Sequence, residues 1–172
     1  MTVLRKAIAI GGVVVLCAAV VATLVVFHLR TAFVSEAATY ATLDDAAKSG
    51  AIQTGWIPNV LPRSANSIRE KHNYEQNTEI ATFLYNTNEN ILATLQNAVE
   101  VRSDQLSGMR APAIGKTESW FPRAICEGRF AEMYEQGFVF YQFAQRSSAV
   151  TCRWCIAVNM KAGVCYLWML GA

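Results

Sequence analysis

The hydrophobic pattern of this chain begins with one long apolar segment. From Ala7 to Leu29 there is no Asp, Glu, Lys or Arg, and a helix of this length crosses the roughly 30 Å hydrocarbon core of a bilayer. A cleavable signal peptide is the main alternative, but its apolar region usually runs only about 7–15 residues. We therefore predict an uncleaved transmembrane anchor, in which Cys17 is a small apolar core residue.

The charges that flank the apolar segment predict its orientation. Arg5 and Lys6 precede it, whereas Arg30 is followed by three acidic residues before Lys48. Positive residues concentrate on the cytoplasmic side of membrane spans. We therefore expect the N-terminus in the cytoplasm, the anchor in the inner (cytoplasmic) membrane and the C-terminal region outside the cytoplasm.

The chain divides into three predicted parts: a cytoplasmic tip with the anchor (1–30), a polar stalk (31–41) and one extracytoplasmic domain (42–172). Of the 15 basic residues, three precede residue 31, which leaves 12 basic residues against 13 acidic ones. The exported region therefore has a net charge of about −1 and lacks the basic surface that nucleic-acid binding requires. Nucleic acid is excluded as a partner on this ground.

The start of the domain predicts a helix and an ordered loop. Thr42 and Asp45 have the spacing of a capping box, and Gly50 suits a left-handed C-cap, which predicts a helix over 42–50. Two prolines in the segment that follows exclude a regular element. Trp56 and Ile57 are large and apolar, so we expect this loop to pack on the core.

Alternating and apolar runs predict the strands. The segments 67–72 and 79–85 flank a polar turn and predict a β-hairpin. Three apolar runs, 138–143, 150–158 and 164–170, have short connections and predict an antiparallel meander. Together these segments predict one antiparallel sheet of about five strands.

Two further segments predict helices. Residues 87–97 offer a cap followed by helical spacing, and a helix around 119–127 has Pro122 in its first turn. With the helix over 42–50, this gives an α+β domain in which two or three helices cover one face of the sheet. Trp154 and Trp168, at strand spacing, are predicted core residues.

Two groups of residues form a recognisable pattern, one at each end of the domain. They are Gly55-Trp56-Ile57-Pro58, Leu61-Pro62, Ser64-Ala65, Ile68, Glu70 and His72, and then Cys152-Arg153-Trp154, Tyr166 and Trp168. This pattern resembles a small domain of uncharacterised bacterial envelope proteins. The resemblance implies an extracytoplasmic α+β domain without an established activity, and it therefore implies no catalytic residue.

The cysteines that follow the anchor are Cys126, Cys152, Cys155 and Cys165. An even number in an exported domain predicts two structural disulfides, and four cysteines allow three connectivities. We expect Cys126 to reach into the C-terminal meander. The second bridge is expected between Cys155 and Cys165, across the last hairpin.

The same cysteines suggest two alternatives. Cys152 and Cys155 have the spacing of a thiol oxidoreductase, but that chemistry needs a thiolate at a helix N-terminus. In a strand these two positions face opposite sides. A zinc site that joins Cys165 to Cys126 or His72 is disfavoured, because structural zinc sites prefer two short clustered pairs. No metal and no cofactor is predicted.

His72 is the imidazole of the exported region, and with Glu70 and Arg69 it forms a candidate functional surface. A lone histidine among charged residues is usually an exposed strand residue. A hydrolase would instead need the hydroxyl of Ser64 or Ser67, activated by His72 and an acidic residue. Motifs such as Gly-x-Ser-x-Gly are missing from the sequence.

The sequence therefore predicts a single-pass, membrane-anchored, extracytoplasmic interaction protein of the cell envelope, non-enzymatic, with a protein partner. The alternative is an envelope enzyme, either a hydrolase that uses His72 or a thiol oxidoreductase that uses Cys152 and Cys155. A pocket that gathers His72 with a nucleophile would favour the enzyme.

Overall fold

A computed structural model describes residues 16–26, 35–95, 97–146 and 151–170. The chain divides into two compact units, Met1–Ser35 and Glu36–Ala172.

The first unit contains helix α1, residues 16–26, which lies inside the apolar segment. Among the described residues, no helix has both the length and the apolar character that a membrane crossing requires. The predicted anchor, Ala7 to Leu29, also includes residues 7–15 and 27–29, and these lie outside the described part of the chain.

The second unit is built on one seven-stranded antiparallel sheet with the order β1-β2-β3-β7-β6-β5-β4. The strands are β1 (Ser35–Thr42), β2 (Asn66–Asn73), β3 (Thr78–Leu84), β4 (Val99–Glu100), β5 (Val139–Arg146), β6 (Thr151–Asn159) and β7 (Val164–Met169). The predicted hairpin is β2–β3, and the predicted meander is β5–β6–β7. Both are confirmed, and β3 pairs with β7 to join them into one sheet.

The sheet has two strands more than the sequence predicted. Most of β1 comes from residues 35–41, which were assigned to the stalk. This edge strand is largely exposed, so it has no strong alternation of apolar and polar residues. β4 is only two residues long, which is too short to produce a pattern. Both additional strands lie at the edges of the sheet.

Short helices connect the strands. They are α2 (Leu43–Lys48), α3 (Ala51–Thr54), α4 (Ile91–Thr94), α5 (Arg123–Glu127) and α6 (Phe130–Glu135), with two 3-10 helices, Ser103–Gly108 and Ala113–Thr117. The predicted capping box of Thr42 and Asp45 is present at the start of α2. The helix predicted over 87–97 is reduced to α4, and α6 was not predicted.

Helices cover both faces of the sheet, which corrects the prediction of one covered face. The first core contains Ile68, Phe83 and Trp154 with α2, α3 and α4, and the second core contains Ile80, Phe140 and Trp168 with α5 and α6. The reason is visible in β6, where all residues from Trp154 to Asn159 are buried. A strand that is buried along both faces needs a layer on each side. Trp154 and Trp168 are core residues as predicted.

The turn between β6 and β7 requires a glycine. Gly163 has a φ of +65°, and a Cβ atom there would lie 2.5 Å from the carbonyl oxygen of Tyr85. Gly50 also has a positive φ, +88°, but no atom lies within 4 Å of its Cβ position. A comparison of substitutions at the two glycines therefore distinguishes the cost of a positive φ, which both share, from the cost of a steric clash, which only Gly163 has.

We predict that Gly163→Ala lowers the free energy of unfolding by clearly more than Gly50→Ala. The left-handed conformation alone costs roughly 1–2 kcal/mol for a residue with a Cβ, and only Gly163→Ala adds a backbone clash. Urea unfolding of the full-length protein in detergent measures both changes. Equal losses in the two variants would contradict the packing of this turn against Tyr85.

Candidate functional site

The alternation of side chains along β2 brings polar residues into the first core. Ile68, Glu70 and His72 share one face of the strand, and Glu70 and His72 are only 2% and 3% exposed. His72 pairs in register with Glu79 of β3, which is fully buried. Three titratable side chains are therefore enclosed at neighbouring positions of one sheet face.

His72 has a hydrogen bond on one ring nitrogen and aromatic contacts on its ring. Its Nδ1 lies 2.9 Å from Oε2 of Glu70. The indole of Trp56 stacks on the imidazole with a centroid distance of 3.9 Å and an interplanar angle of 12°. Tyr74 approaches the same ring edge-on at 4.6 Å. These contacts fix the orientation of the imidazole.

The loop after α3 positions the indole of Trp56. Gly55 ends α3 in the left-handed conformation, with a φ of 86°, and the backbone N–H of Ile57 donates to the carbonyl oxygen of Ala51 at 3.1 Å. Ile57 is fully buried. The prediction of an ordered loop that packs on the core is confirmed, and its role here is to hold Trp56 against His72.

The solvent side of the site is formed by Glu36 of β1 and by Tyr74 after β2. The Tyr74 hydroxyl donates to Oε2 of Glu36 at 2.8 Å, and the Tyr40 hydroxyl donates to Oε1 of Glu70 at 3.4 Å. The side chain of Glu36 is 66% exposed, whereas that of His72 is only 4% exposed, so Glu36 contacts solvent while the imidazole is enclosed. We call the whole set the His72 cluster: Glu36, Tyr40, Trp56, Glu70, His72, Tyr74 and Glu79.

Two members of the cluster have buried polar atoms without a hydrogen-bond partner. These atoms are Nε2 of His72 and both carboxylate oxygens of Glu79. Burial raises the pKa of Glu79 well above its ordinary value of 4.5, and the negative charge of Glu70 adds to this shift. Burial also raises the pKa of Glu70, although the hydrogen bond with His72 opposes this effect.

The structure separates the residues that were predicted to form the functional surface. Glu70 and His72 lie together, but they are buried rather than on the surface. Arg69 is exposed and faces the other side of the sheet, because neighbouring strand residues point in opposite directions. The prediction that these three residues share one surface is therefore wrong.

The serines proposed for a hydrolase are engaged elsewhere. The hydroxyl of Ser64 donates to Glu89 at 2.5 Å, and the hydroxyl of Ser67 donates to Oδ1 of Asn66 at 3.2 Å. His72 has a hydrogen bond only at Nδ1, to Glu70, and its Nε2 has no partner. The structure therefore does not bring His72 into a hydrogen bond with a nucleophile.

The structure describes all five cysteines, and each is a free thiol. The expected bridge between Cys155 and Cys165 is wrong because the register of the last hairpin differs by three residues. Cys155 lies opposite Trp168, and Cys165 lies opposite Val158. A shift by an odd number moves a side chain to the other face. Cys155 therefore lies in the second core and Cys165 in the first.

The other two cysteines of the domain are also separated by the sheet. Cys152 packs against the first core, whereas Cys126, on α5, lies in the second. The predicted opposite orientation of Cys152 and Cys155 is thus observed. Burial raises the pKa of Cys155 to about 12 and the pKa of Cys165 well above its ordinary value. Neither thiol has the lowered pKa that redox chemistry requires.

A separate cavity of about 510 Å³ lies next to β4. Its lining residues are Val99, Glu100, Val101, Gln105, Gly108, Met109, Gln142, Arg153 and Leu170. This lining contains one acidic and one basic residue but no serine, cysteine or histidine. In the part of the chain that the structure describes, no group of three or more His, Cys, Asp or Glu side chains could hold a metal ion.

The comparisons with known proteins point to the same part of the chain. A family model described as the YbbD head domain matches residues 34–84. This range contains β1, β2, β3 and the Trp56 loop, and thus every residue of the His72 cluster. The match supports an uncharacterised bacterial domain over these residues. No curated protein and no solved structure shows significant similarity to the chain.

We predict that Glu79→Gln makes the protein less sensitive to high pH. A carboxyl whose pKa is raised on folding stabilises the fold below its unfolded pKa of 4.5, and this stabilisation is lost as the pH rises through the folded pKa. A neutral amide removes this loss. Urea unfolding from about pH 5 to about pH 8 should therefore show Glu79→Gln gaining stability relative to the wild type as the pH rises.

The control for this experiment is Glu75→Gln, in the exposed turn between β2 and β3. This variant should follow the wild type at every pH. A stability difference between Glu79→Gln and the wild type that is the same at every pH would contradict the burial of an ionisable Glu79.

We also predict that the thiols differ in reactivity. Cys152 is partly exposed, whereas Cys155 and Cys165 are fully buried. Brief treatment of the native protein with N-ethylmaleimide, followed by peptide mass spectrometry, should modify Cys152 before the other two. Denaturation without a reductant should then expose all of them to the reagent. Thiols of the domain that react only after reduction would contradict the free-thiol structure.

Proposed function

We propose that this chain is a single-pass, membrane-anchored interaction protein of the bacterial cell envelope, and that its domain binds a protein partner outside the cytoplasm. The anchor is the predicted span Ala7 to Leu29, with Arg5 and Lys6 on the cytoplasmic side. We further propose that the run Gly55-Trp56-Ile57-Pro58 belongs to the opening motif of this type of domain, because it forms the loop that carries Trp56.

One observation carries the non-enzymatic part of this proposal. The His72 cluster is the place where titratable side chains converge, and its histidine is oriented by Glu70, Trp56 and Tyr74 without a hydrogen bond to a nucleophile. A mechanism in which the histidine activates a nucleophilic side chain needs that contact. A fixed, partly open arrangement of acceptors and aromatic rings suits the recognition of a ligand.

The enzymatic alternatives have less support. The hydrolase arrangement needs Ser64 or Ser67 near His72, and both hydroxyls are hydrogen-bonded to other residues. The thiol oxidoreductase needs Cys152 and Cys155 on one side of the sheet, and they lie on opposite sides. No specific observation therefore favours a second function.

We predict that a photoreactive amino acid at position 74 crosslinks to a discrete partner in living cells. Tyr74 is 51% exposed at the rim of the cluster. The same amino acid at position 160, where Met160 is 41% exposed in the β6–β7 turn, serves as the matched control. The crosslinked species should form at position 74, should not form at position 160, and should be lost with Glu36→Gln.

The location is tested in the same strain with a reporter fused after Ala172 that is active only outside the cytoplasm. Activity together with an unprocessed mass supports the proposed topology. Activity of a second fusion, whose reporter works only in the cytoplasm, or equal crosslinking at positions 74 and 160, would contradict the proposed function.

A further inference from the structure

We propose that the cavity of about 510 Å³ next to β4, which we call the Arg153 cavity, binds the C-terminal carboxylate of a polypeptide chain. Arg153 is the residue that pairs with the charge of this carboxylate. The inference goes beyond the proposed function, because the lining of the cavity shares no residue with the His72 cluster.

The floor of the Arg153 cavity lies on the second-core face of the sheet. Gln142 of β5 is in register with Cys155 of β6, which belongs to the second core. Arg153 precedes Cys155 by two positions and therefore shares its face. Leu170, which packs against the same core, donates its backbone N–H to the carbonyl oxygen of Arg153 at 2.9 Å. An amide, a guanidinium and an apolar side chain are thus neighbours on one face.

Hydrogen bonds fix the walls of the cavity before any ligand binds. The carbonyl oxygen of Met109 accepts from the indole N–H of Trp168 at 2.7 Å, and the backbone N–H of Val101 donates to the carbonyl oxygen of Phe140 at 2.8 Å. Both Met109 and Val101 are buried. A cavity with fixed walls loses little conformational freedom on binding, and this one has the size of a typical ligand cavity.

The polar lining of the cavity offers hydrogen-bond donors. Within the described part of the chain, Arg153 forms no ion pair. Oε1 of Gln105 accepts from the backbone N–H of Arg102 at 3.3 Å, so the group that Gln105 offers to a ligand is its amide NH₂, a donor. A planar guanidinium presents parallel N–H groups that match a carboxylate. The lining therefore suits a carboxylate ligand.

The charge at the floor of the cavity is positive. Arg153 is the basic residue of the lining and Glu100 is the acidic one. Glu100 is in register with Tyr141, a first-core residue, so its Cβ points to the opposite face of the sheet. Val99 is in register with Gln142 and shares the face of the cavity floor. Glu100 at the rim disfavours a ligand with a second negative charge, such as a phosphate.

A chain terminus suits the cavity better than an acidic side chain does. The last residue of a chain carries its carboxylate, a backbone N–H and a side chain on one carbon atom. Arg153 pairs with the carboxylate, and the amide oxygen of Gln142 accepts from the N–H. Leu170 and Val99 offer apolar surface to the side chain, and Val99 is 68% exposed. An Asp or Glu side chain has no apolar branch beside its carboxylate. Capture of a terminal carboxylate is a recurring mode of peptide recognition.

The test is an NMR titration of the full-length protein in detergent with the tripeptide N-acetyl-Gly-Gly-Leu, which has a free carboxylate. The protein carries ¹³C-methyl-labelled methionine, and its signals are assigned by single substitutions. Met109 lines the cavity, whereas Met160 lies exposed in the β6–β7 turn. We expect a saturable shift of the Met109 signal and no shift of the Met160 signal. The same tripeptide with a C-terminal amide should give no saturable shift.

Two variants that remove one positive charge show whether Arg153 binds the probe. Arg153→Gln should weaken binding about tenfold or more, as expected for the loss of a charge-assisted hydrogen bond. Arg69→Gln removes the same charge at an exposed position outside the cavity, and it should leave binding unchanged. Arg153 is exposed, so its substitution keeps the fold. An unchanged methyl signal of Met133, which is buried in the second core, verifies this.

Four results would overturn the proposal. They are the absence of a saturable Met109 shift, equal binding of the carboxylate and the amide tripeptide, equal effects of Arg153→Gln and Arg69→Gln, and tighter binding of inorganic phosphate than of the tripeptide. The last result would make this a phosphate site instead. Position 74 lies outside the cavity, so the crosslinking experiment decides the proposed function separately.

Discussion

The hydrogen bond between Glu70 and His72 is the interaction on which the site depends. Burying polar groups is unfavourable unless they are paired, and this bond pairs one carboxylate oxygen with one ring nitrogen at 2.9 Å. The pairing is incomplete, because Nε2 of His72 and the carboxylate of Glu79 have no partner. Each buried, unpaired group costs about 1–3 kcal/mol. The rest of the domain must be stable enough to tolerate this cost.

The stability of the domain comes from a sheet that has a hydrophobic core on each of its two faces. The meander β5–β7 is buried on both sides and holds Trp154 in the first core and Trp168 in the second. β3 joins the meander through β7, so the hairpin β2–β3 is attached to a rigid layer. The polar cluster lies on the outer part of the first-core face, near the edge strand β1. Polar groups that stay unpaired beside a well-packed core are typical of functional sites.

The sequence predicted the parts of the fold that have strong local patterns. The capping box at Thr42, the hairpin and the meander follow from short-range signals, and the structure contains all three. The covered second face, the edge strands and the register between Cys155 and Cys165 depend on contacts between distant segments. In the last hairpin, a shift of three residues was enough to place the two thiols on opposite faces.

The candidate site was only partly predictable for the same reason. His72 and Glu70 were identified, but the stacking of Trp56 on His72 depends on the loop that carries Trp56. Glu36 comes from β1 and Tyr74 directly follows β2; neither was predicted as part of the site. One signal was present in the sequence: Glu70 and His72 continue the alternation of Ile68 on the buried face of a strand. Glu79 likewise lies in a strand, β3, whose residues from Glu79 to Phe83 are all buried.

The protonation of the His72 ring is the most direct test of this account. A two-bond proton–nitrogen correlation spectrum of the full-length protein near neutral pH distinguishes the two ring nitrogens. We expect the spectrum to show a proton on Nδ1, because this nitrogen lies 2.9 Å from Oε2 of Glu70 and a carboxylate accepts a hydrogen bond from it. A ring whose Nδ1 carries no proton would contradict the hydrogen bond from His72 to Glu70.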